Sequence, residues 1–347
     1  MQNKSCYISG NNLKTKDRIK MKVLFIGGTG NISTASSRLA IEKGFELYHL
    51  NRGLTKSEIP NVKTIYGDIN KPEQLHELKK HHWDVVVNWI AFTVQDIERD
   101  IQLFKEKTNH YIFISSASCY QKPLSYPIVT ESTPLHNDLA VYSNNKIKCE
   151  ERLLRAYREE NFPMTIVRPS LTYDTVIPIA IGGFKEYTTA DRILKGKPII
   201  IHGDGTSLWT VTHSDDFAKG LVGLLGLKQA IGHAFHITSD EVLNWNMIYG
   251  ILAESLGCKL NAIHIASDFI CKIEPYYIEK LLADKAESVV FDNSKIKTFV
   301  PEFNATIPFA VGIRRTLKWL DDNPKLKVVS KETNQRIENI INAYQKL

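Results

Sequence analysis

Residues 22–33 read KVLFIGGTGNIS. The run KVLFI is short, apolar and closed by glycines, the mark of a buried strand. Gly27-Gly28-Thr29-Gly30-Asn31-Ile32-Ser33 follows with G-x-x-G-x-x-S spacing, and a helical pattern occupies 33–43. Glycine permits the tight turn and lets a pyrophosphate approach the backbone. The helix start then offers free N–H groups and a favourable dipole. Ser33 stands where a third glycine is usual for close packing, and serine is small enough to make the departure mild. A ligand-free βα turn has the same local look. The strand before it and the βαβ pattern after it favour a dinucleotide, with Gly27, Gly28, Thr29, Gly30, Asn31 and Ile32 as expected contacts.

Working outward, strands are expected at 46–50, 62–66, 84–90, 111–115 and 164–167, and helices at 72–80, 95–105 and 141–159. The alternation predicts an α/β, Rossmann-type doubly wound parallel sheet whose ligands lie beyond the C-terminal strand ends. From about residue 175 the alternation weakens. Short strands are expected at 198–202, 209–212 and 234–237, and helices at 216–225 and 245–256. The expected organisation is a polar, mobile extension over 1–20 and a dinucleotide-binding domain over 21–175, which elements near 209–240 rejoin. A smaller α/β substrate lobe follows from 176–208 and 241–322, then a charged C-terminal helix over 323–347. Met21 opens the first strand directly and is an alternative start of translation.

Composition sets outer bounds. The chain has 347 residues, 43% hydrophobic and 24% charged, which excludes a wholly disordered or collagen-like protein. Lys+Arg number 44 against 38 Asp+Glu, a net +6 spread along the chain. That suits anionic ligands but shows no basic run interleaved with aromatics, so a nucleic-acid partner is not expected. The five cysteines, Cys6, Cys119, Cys149, Cys258 and Cys271, are scattered with no CxxC pair or Cys/His cluster. Neither a metal site nor a disulfide framework is expected, and a cytoplasmic location is. No apolar stretch reaches the roughly 18 residues of a membrane span, so no membrane partner is expected.

The end of the second strand reads His49-Leu50-Asn51-Arg52-Gly53. An acidic residue there would hold the adenosine ribose of NAD. Asn51 removes the carboxylate that would repel a 2′-phosphate, and Arg52 offers such a phosphate bidentate hydrogen bonds. The cofactor expected is therefore NAD(P), with NADP favoured over NAD. Asp68, followed by Ile69, is placed to accept from the adenine amino group; capping the segment near Pro72 is its plain alternative.

Tyr142 and Lys146 are four apart near the start of the long helix and share one face. A free phenol, with a pKa of about 10, is a poor base at neutral pH. A neighbouring ammonium is expected to lower it, so that tyrosine exchanges a proton with a substrate oxygen while a nicotinamide exchanges hydride. The fifth strand exits through Ser115-Ser116-Ala117-Ser118-Cys119-Tyr120, which puts hydroxyls at the ligand-binding edge.

With these motifs in view, residues 21–320 resemble the extended (atypical) short-chain dehydrogenase/reductase superfamily, in its NAD-dependent epimerase/dehydratase branch. The resemblance rests on Gly27, Gly28, Gly30, Asp68, Ser115–Tyr120, Glu131, Tyr142, Lys146, Glu150, Arg168-Pro169 and the His213–Ala218 segment. It implies Ser116 as the catalytic hydroxyl, Tyr142 as the acid/base, and Lys146 as both pKa modifier and nicotinamide-ribose ligand. It implies Asn88, Trp89, Ile90, Ala91 and Ser115 along the cofactor, and Pro169 with Ser170 near the nicotinamide. It also implies a homodimer.

Two departures bear on substrate. Ala117-Ser118 stands where 4,6-dehydratases of the family carry Asp-Glu. Trp209 stands where sugar-nucleotide epimerases carry a diphosphate-gripping arginine, and it offers a flat face for a sugar ring or a core aromatic for the small lobe. Thr93, Ser118 and Trp209 are the candidate substrate contacts. Asn51-Arg52-Gly53 and the missing arginine also resemble the subgroup that includes chloroplast stem-loop RNA-binding proteins.

The expected function is NAD(P)-dependent epimerisation or oxidoreduction at a secondary alcohol of a sugar or sugar derivative. A plain NADP-dependent ketone reductase is the alternative among enzymes, and a cofactor-binding RNA-binding or regulatory module the alternative from another class.

Overall fold

A computed structural model describes residues 20–54 and 59–347. The expected extension over 1–20 therefore lies, but for Lys20, outside the described residues. Seven parallel strands form one sheet in the order Ala234–Ile237, Met164–Pro169, Tyr111–Ile114, Val85–Asn88, Lys22–Ile26, Glu46–Asn51, Lys63–Tyr66. The order reverses between Lys22–Ile26 and Val85–Asn88, so a crevice opens at their C-terminal ends.

The first strand shows why the sheet is covered on both sides. Its side chains alternate between faces, and both faces are apolar. Leu24 and Ile26 join the core under the helices Val94–Phe104 and Val141–Glu160, through Ile97, Ile101, Phe104 and Leu153. Val23 and Phe25 join the opposite core with Ala40 of helix Ser33–Glu42 and Phe217 and Leu221 of helix Ser214–Leu224. A third core holds the smaller lobe together around Tyr173, Trp209, Trp245, Tyr249, Phe309 and Ile337. No helix among the described residues is long and apolar enough to cross a membrane.

Several elements depart from expectation. The helix expected over 72–80 is a 3-10 turn, Pro72–Gln74, and a single α turn, His76–Lys79, parted at Leu75, which turns its side chain inward and is buried. The strand expected over 84–90 stops at Asn88. There the Asn88 Oδ1 accepts from the Ile90 and Ala91 N–H groups at 2.8 and 3.0 Å and bends the chain away. The strand expected over 209–212 is two strands with different partners. Leu208–Trp209 pairs antiparallel with Leu243–Asn244, and Val211–His213 pairs parallel with Leu171–Tyr173. The helix that follows is capped by His213, whose Nδ1 accepts from the Asp215 N–H at 3.2 Å. Asp215 and Asp216 are the second and third residues of the helix, in its first turn.

Candidate active site

The glycine turn is dictated by close packing. Gly27 has φ of 86°, in the left-handed region, and a Cβ there would stand 2.6 Å from the Ile90 Cγ2. A Cβ on Gly28 would meet the His49 Nε2 at 2.3 Å. His49 itself is fixed, with the Ser37 hydroxyl at 2.9 Å and its ring stacked on Phe25. Ser33 adds a lacing that glycine could not: its Oγ accepts from the Gly30 N–H at 2.7 Å and donates to the Gly27 carbonyl at 2.9 Å.

Asn31 turns its side chain away from the crevice. Its Nδ2 donates to the Thr172 carbonyl at 3.0 Å, and its Oδ1 accepts from the Asp174 and Thr175 N–H groups at 3.1 and 3.2 Å. What the turn offers an anion is main chain. Among the described residues no hydrogen bond takes up the N–H of Asn31 or Ile32. The Ile32 side chain packs into the core below.

A cleft of about 660 Å³ runs from this turn across the strand ends. It brings together Gly27, Thr29, Gly30 and Ile90 with Asn51, Arg52, Asp68 and Ile69 from the neighbouring strands. The Asp68 Oδ1 accepts from the Asn70 N–H at 3.0 Å, which is a local turn, and its second oxygen has no hydrogen-bond partner among the described residues. Arg52 is exposed at the mouth, where Lys71 and Asp68 line an adjoining hollow. Phe92 and Lys185 complete the larger cleft. Lys71, Phe92 and Lys185 escaped the sequence reading because isolated loop residues carry no spacing signal. Trp89 does not face the cleft; it packs edge-on to Phe25 and against Phe217. Ala91 is buried and contributes its carbonyl to Lys146.

Tyr142 and Lys146 lie on the first turns of the long helix. Lys146 is 1% exposed, and its Nζ donates to the Ala91 and Ile114 carbonyls at 2.7 and 2.8 Å. It also stands 4.5 Å from the Phe92 ring centroid and 5.8 Å from that of Tyr142. Burial pulls the ammonium down to about 8. Tyr142 keeps 44% of its surface exposed, beside Phe92, whose ring centroid is 6.2 Å away. Burial pushes the phenol up to about 12, and a hydrogen bond with the Ser116 hydroxyl pulls the other way. This corrects the expectation of a phenol lowered by its lysine: Lys146 directs two of its three N–H donors at carbonyl oxygens.

The Ser116 hydroxyl is 2.9 Å from that of Ser118, which accepts from the Ser143 hydroxyl at 2.8 Å. Ser116, Ser118, Pro169, Ser170 and Trp209 line a second, smaller pocket of about 90 Å³, together with Lys122, Asp284 and Lys285. Trp209 is buried against Trp245, with ring centroids 5.6 Å apart, and shows the pocket an edge of the lobe core.

Two expected contacts have other occupations. Ser115 is buried and donates to Glu150, whose carboxylate also pairs with Arg168 at 2.6 Å. Arg168 in turn donates to the Tyr120 hydroxyl at 3.1 Å. Thr93 is the N-cap of Val94–Phe104 in a reciprocal capping box with Asp96. Burial pushes the Cys119 thiol up to about 12, which leaves it inert. Among the described residues no group of three or more His, Cys, Asp or Glu could hold a metal ion.

Comparison with known proteins follows this geometry. The model of the NAD dependent epimerase/dehydratase family matches residues 23–238. A 2′-dehydrokanamycin reductase of Streptomyces kanamyceticus is 21% identical over 295 residues, covering 84% of this chain and 82% of that protein. The chloroplast stem-loop binding protein of 41 kDa b of Arabidopsis thaliana is 23% identical over 255 residues, covering 68% of this chain and 63% of that protein. Among solved structures, an epimerase of Methanothermobacter thermautotrophicus aligns with a TM-score of 0.72 at 18% identity, over 89% of this chain and 94% of that one. At that identity the likeness is one of fold.

Proposed function

The chain belongs to the NAD-dependent epimerase/dehydratase family, and from that premise we propose that it catalyses nicotinamide-dependent redox chemistry at a secondary alcohol or ketone carbon of a sugar. The observation that carries this reading is the position of Tyr142. Its ring lies 6.2 Å from that of Phe92, which walls the large cleft, and the hydroxyl that acts on its phenol is that of Ser116, which walls the small pocket. A proton carrier on the seam between a dinucleotide-sized cleft and a small polar pocket is what hydride exchange between two ligands requires.

The cleft fits the cofactor. The close-packed glycine turn and the open N–H groups of Asn31 and Ile32 suit the pyrophosphate, and the second carboxylate oxygen of Asp68 suits the adenine amino group. Asn51 in place of a carboxylate, with Arg52 and Lys71 at the mouth, supports NADP over NAD. The bound nicotinamide supplies the hydride donor or acceptor. The third N–H donor of Lys146 remains for a ribose hydroxyl.

On the substrate side, the Ser116 hydroxyl donates to the reacting oxygen and polarises it. Tyr142 exchanges the proton at its Oη. A protonated phenol gives up its proton to a developing alkoxide in reduction, and its phenolate takes the hydroxyl proton in oxidation. An epimerase cycle uses the same residues in both directions.

Titration of the purified protein with NADPH and NADH, read by fluorescence, tests the reading. NADPH is expected to bind more tightly. If neither nucleotide binds, the redox reading fails and the binding-module alternative replaces it.

A further inference from the structure

The small pocket holds a group that proton transfer at Tyr142 does not use. The Lys122 Nζ is buried and has no hydrogen-bond partner among the described residues. An unpaired buried ammonium is costly, and ion-pairing is what ordinarily relieves it. Burial pushes this amine down from its ordinary value, while Asp284 and Glu287 pull it toward the charged form.

Both of those carboxylates already have partners. Asp284 is paired with the Lys285 Nζ, and the Glu287 Oε2 accepts from the Leu124 N–H at 3.1 Å. Lys122 and Lys285 stand on the same indole, 6.0 and 5.7 Å from the Trp209 ring centroid. The charged side chains lining the pocket are thus two lysines and one aspartate, with Lys122 the cation left over. Ser116 and Ser170 line the same pocket.

We propose that Lys122, supported by Lys285 and the face of Trp209, forms a subsite for an anionic group carried by the reacting sugar itself. This rests on the redox reading for the location of the reacting carbon at Ser116. The pocket of about 90 Å³ has room for several water-sized groups, so for a carboxylate or a phosphate. The ligand class is a sugar acid or a sugar phosphate, and the charge sits close to the reacting carbon. The same lysines oppose a protonated amino sugar.

The test uses the full chain and measures dissociation constants calorimetrically, with and without saturating nicotinamide nucleotide. The probes are D-glucuronate, glucose 6-phosphate, glucose and glucosamine. At least one anionic probe is expected to bind about tenfold more tightly than glucose, the scale of one charge-assisted hydrogen bond, and glucosamine is expected to bind most weakly. A preference for glucuronate assigns the subsite to a carboxylate; a preference for glucose 6-phosphate assigns it to a phosphate ester. Lys122→Met is expected to bring the anion-to-glucose ratio to within about threefold of one, while Lys122→Arg keeps most of it.

Lys122→Met is also expected to raise the melting temperature, because it removes an unpaired buried charge. A wild-type protein without anion preference, or a Lys122→Met ratio equal to the wild-type ratio, overturns the proposal. A lowered melting temperature with an unchanged ratio assigns Lys122 to folding and overturns it as well. Should Lys122→Met not fold, Lys285→Met is measured in its place, with the same ratio expected to fall and an unchanged ratio again decisive. Failure of the nucleotide to bind removes the redox reading alone, since the anion ratio is also read without nucleotide.

Discussion

The large cleft and the small pocket offer a ligand opposite kinds of surface. The cleft presents main chain and solvent-exposed side chains: the turn at Gly27–Ile32, the strand ends at Asn51 and Asp68, and the rim at Arg52 and Lys71. The pocket presents side-chain atoms, several of them deeply buried, around Ser116, Lys122 and Trp209. The difference decides how each region fails. Substitutions in the cleft act through backbone geometry and packing. Substitutions at the pocket act through charge and proton transfer and leave the sheet alone.

The sharpest way to break this comparison is at the seam. Tyr142→Phe is expected to lower turnover by roughly 10²- to 10⁴-fold with little change in dinucleotide affinity. Steady-state rates beside a nucleotide titration check it, and unchanged turnover would remove Tyr142 from the chemistry. Next in size is Gly28→Ala. Its new Cβ would press on the fixed His49 ring at 2.3 Å, so a loss of about 1–3 kcal/mol of stability is expected, together with weakened nucleotide binding. Denaturant unfolding measures the first and titration the second.

Arg52→Ala is expected to lower the NADPH-to-NADH affinity ratio by about tenfold, the scale of one lost charge-assisted contact, with Lys71→Ala following in the same direction and less. A ratio that does not move would return the rim to ordinary solvated surface. The last effect concerns pH. Lys146 titrates at about 8 in the folded protein against the ordinary 10.5. Between those values the unfolded chain binds the extra proton, so folding stability rises with pH across that window. The buried thiols of Cys119 and Cys149, pushed up to about 12, act in the opposite sense above pH 9, so the contribution of Lys146 is read as the difference between wild-type and Lys146→Met melting curves from pH 8 to 10.5.

The legibility of each region follows from the same contrast. A parallel sheet gathers consecutive strand ends into one row, so local motifs at Gly27–Ser33, Asn51-Arg52 and Asp68 foretell a shared cleft. Helical spacing likewise puts Tyr142 and Lys146 together. The small pocket draws on residues 116–129, 169–171, 209 and 284–291. These meet only through tertiary packing, and no spacing announces Lys122 or Lys285. Ser143 was hidden for a related reason: its neighbour Tyr142 drew the reading, while its own hydroxyl points into the Ser118–Ser116 chain. Thr93 is different, because Thr93-Val94-Gln95-Asp96 has the spacing of a capping box and could have been read as one.

The side chain of Asn31 has a consequence in time. It fastens the glycine turn, the proposed phosphate site, to Thr172, Asp174 and Thr175, which directly follow the Ser170-Leu171 wall of the small pocket. The Ser214 hydroxyl doubles the link by donating to the carbonyls of Asn31 and Tyr173. A nucleotide that stills the turn also stills that wall, so the second ligand loses less freedom by arriving afterwards. Arrival and departure are therefore expected to be ordered, nucleotide first on and last off. Product-inhibition patterns would show it, and Asn31→Ala should make the order random.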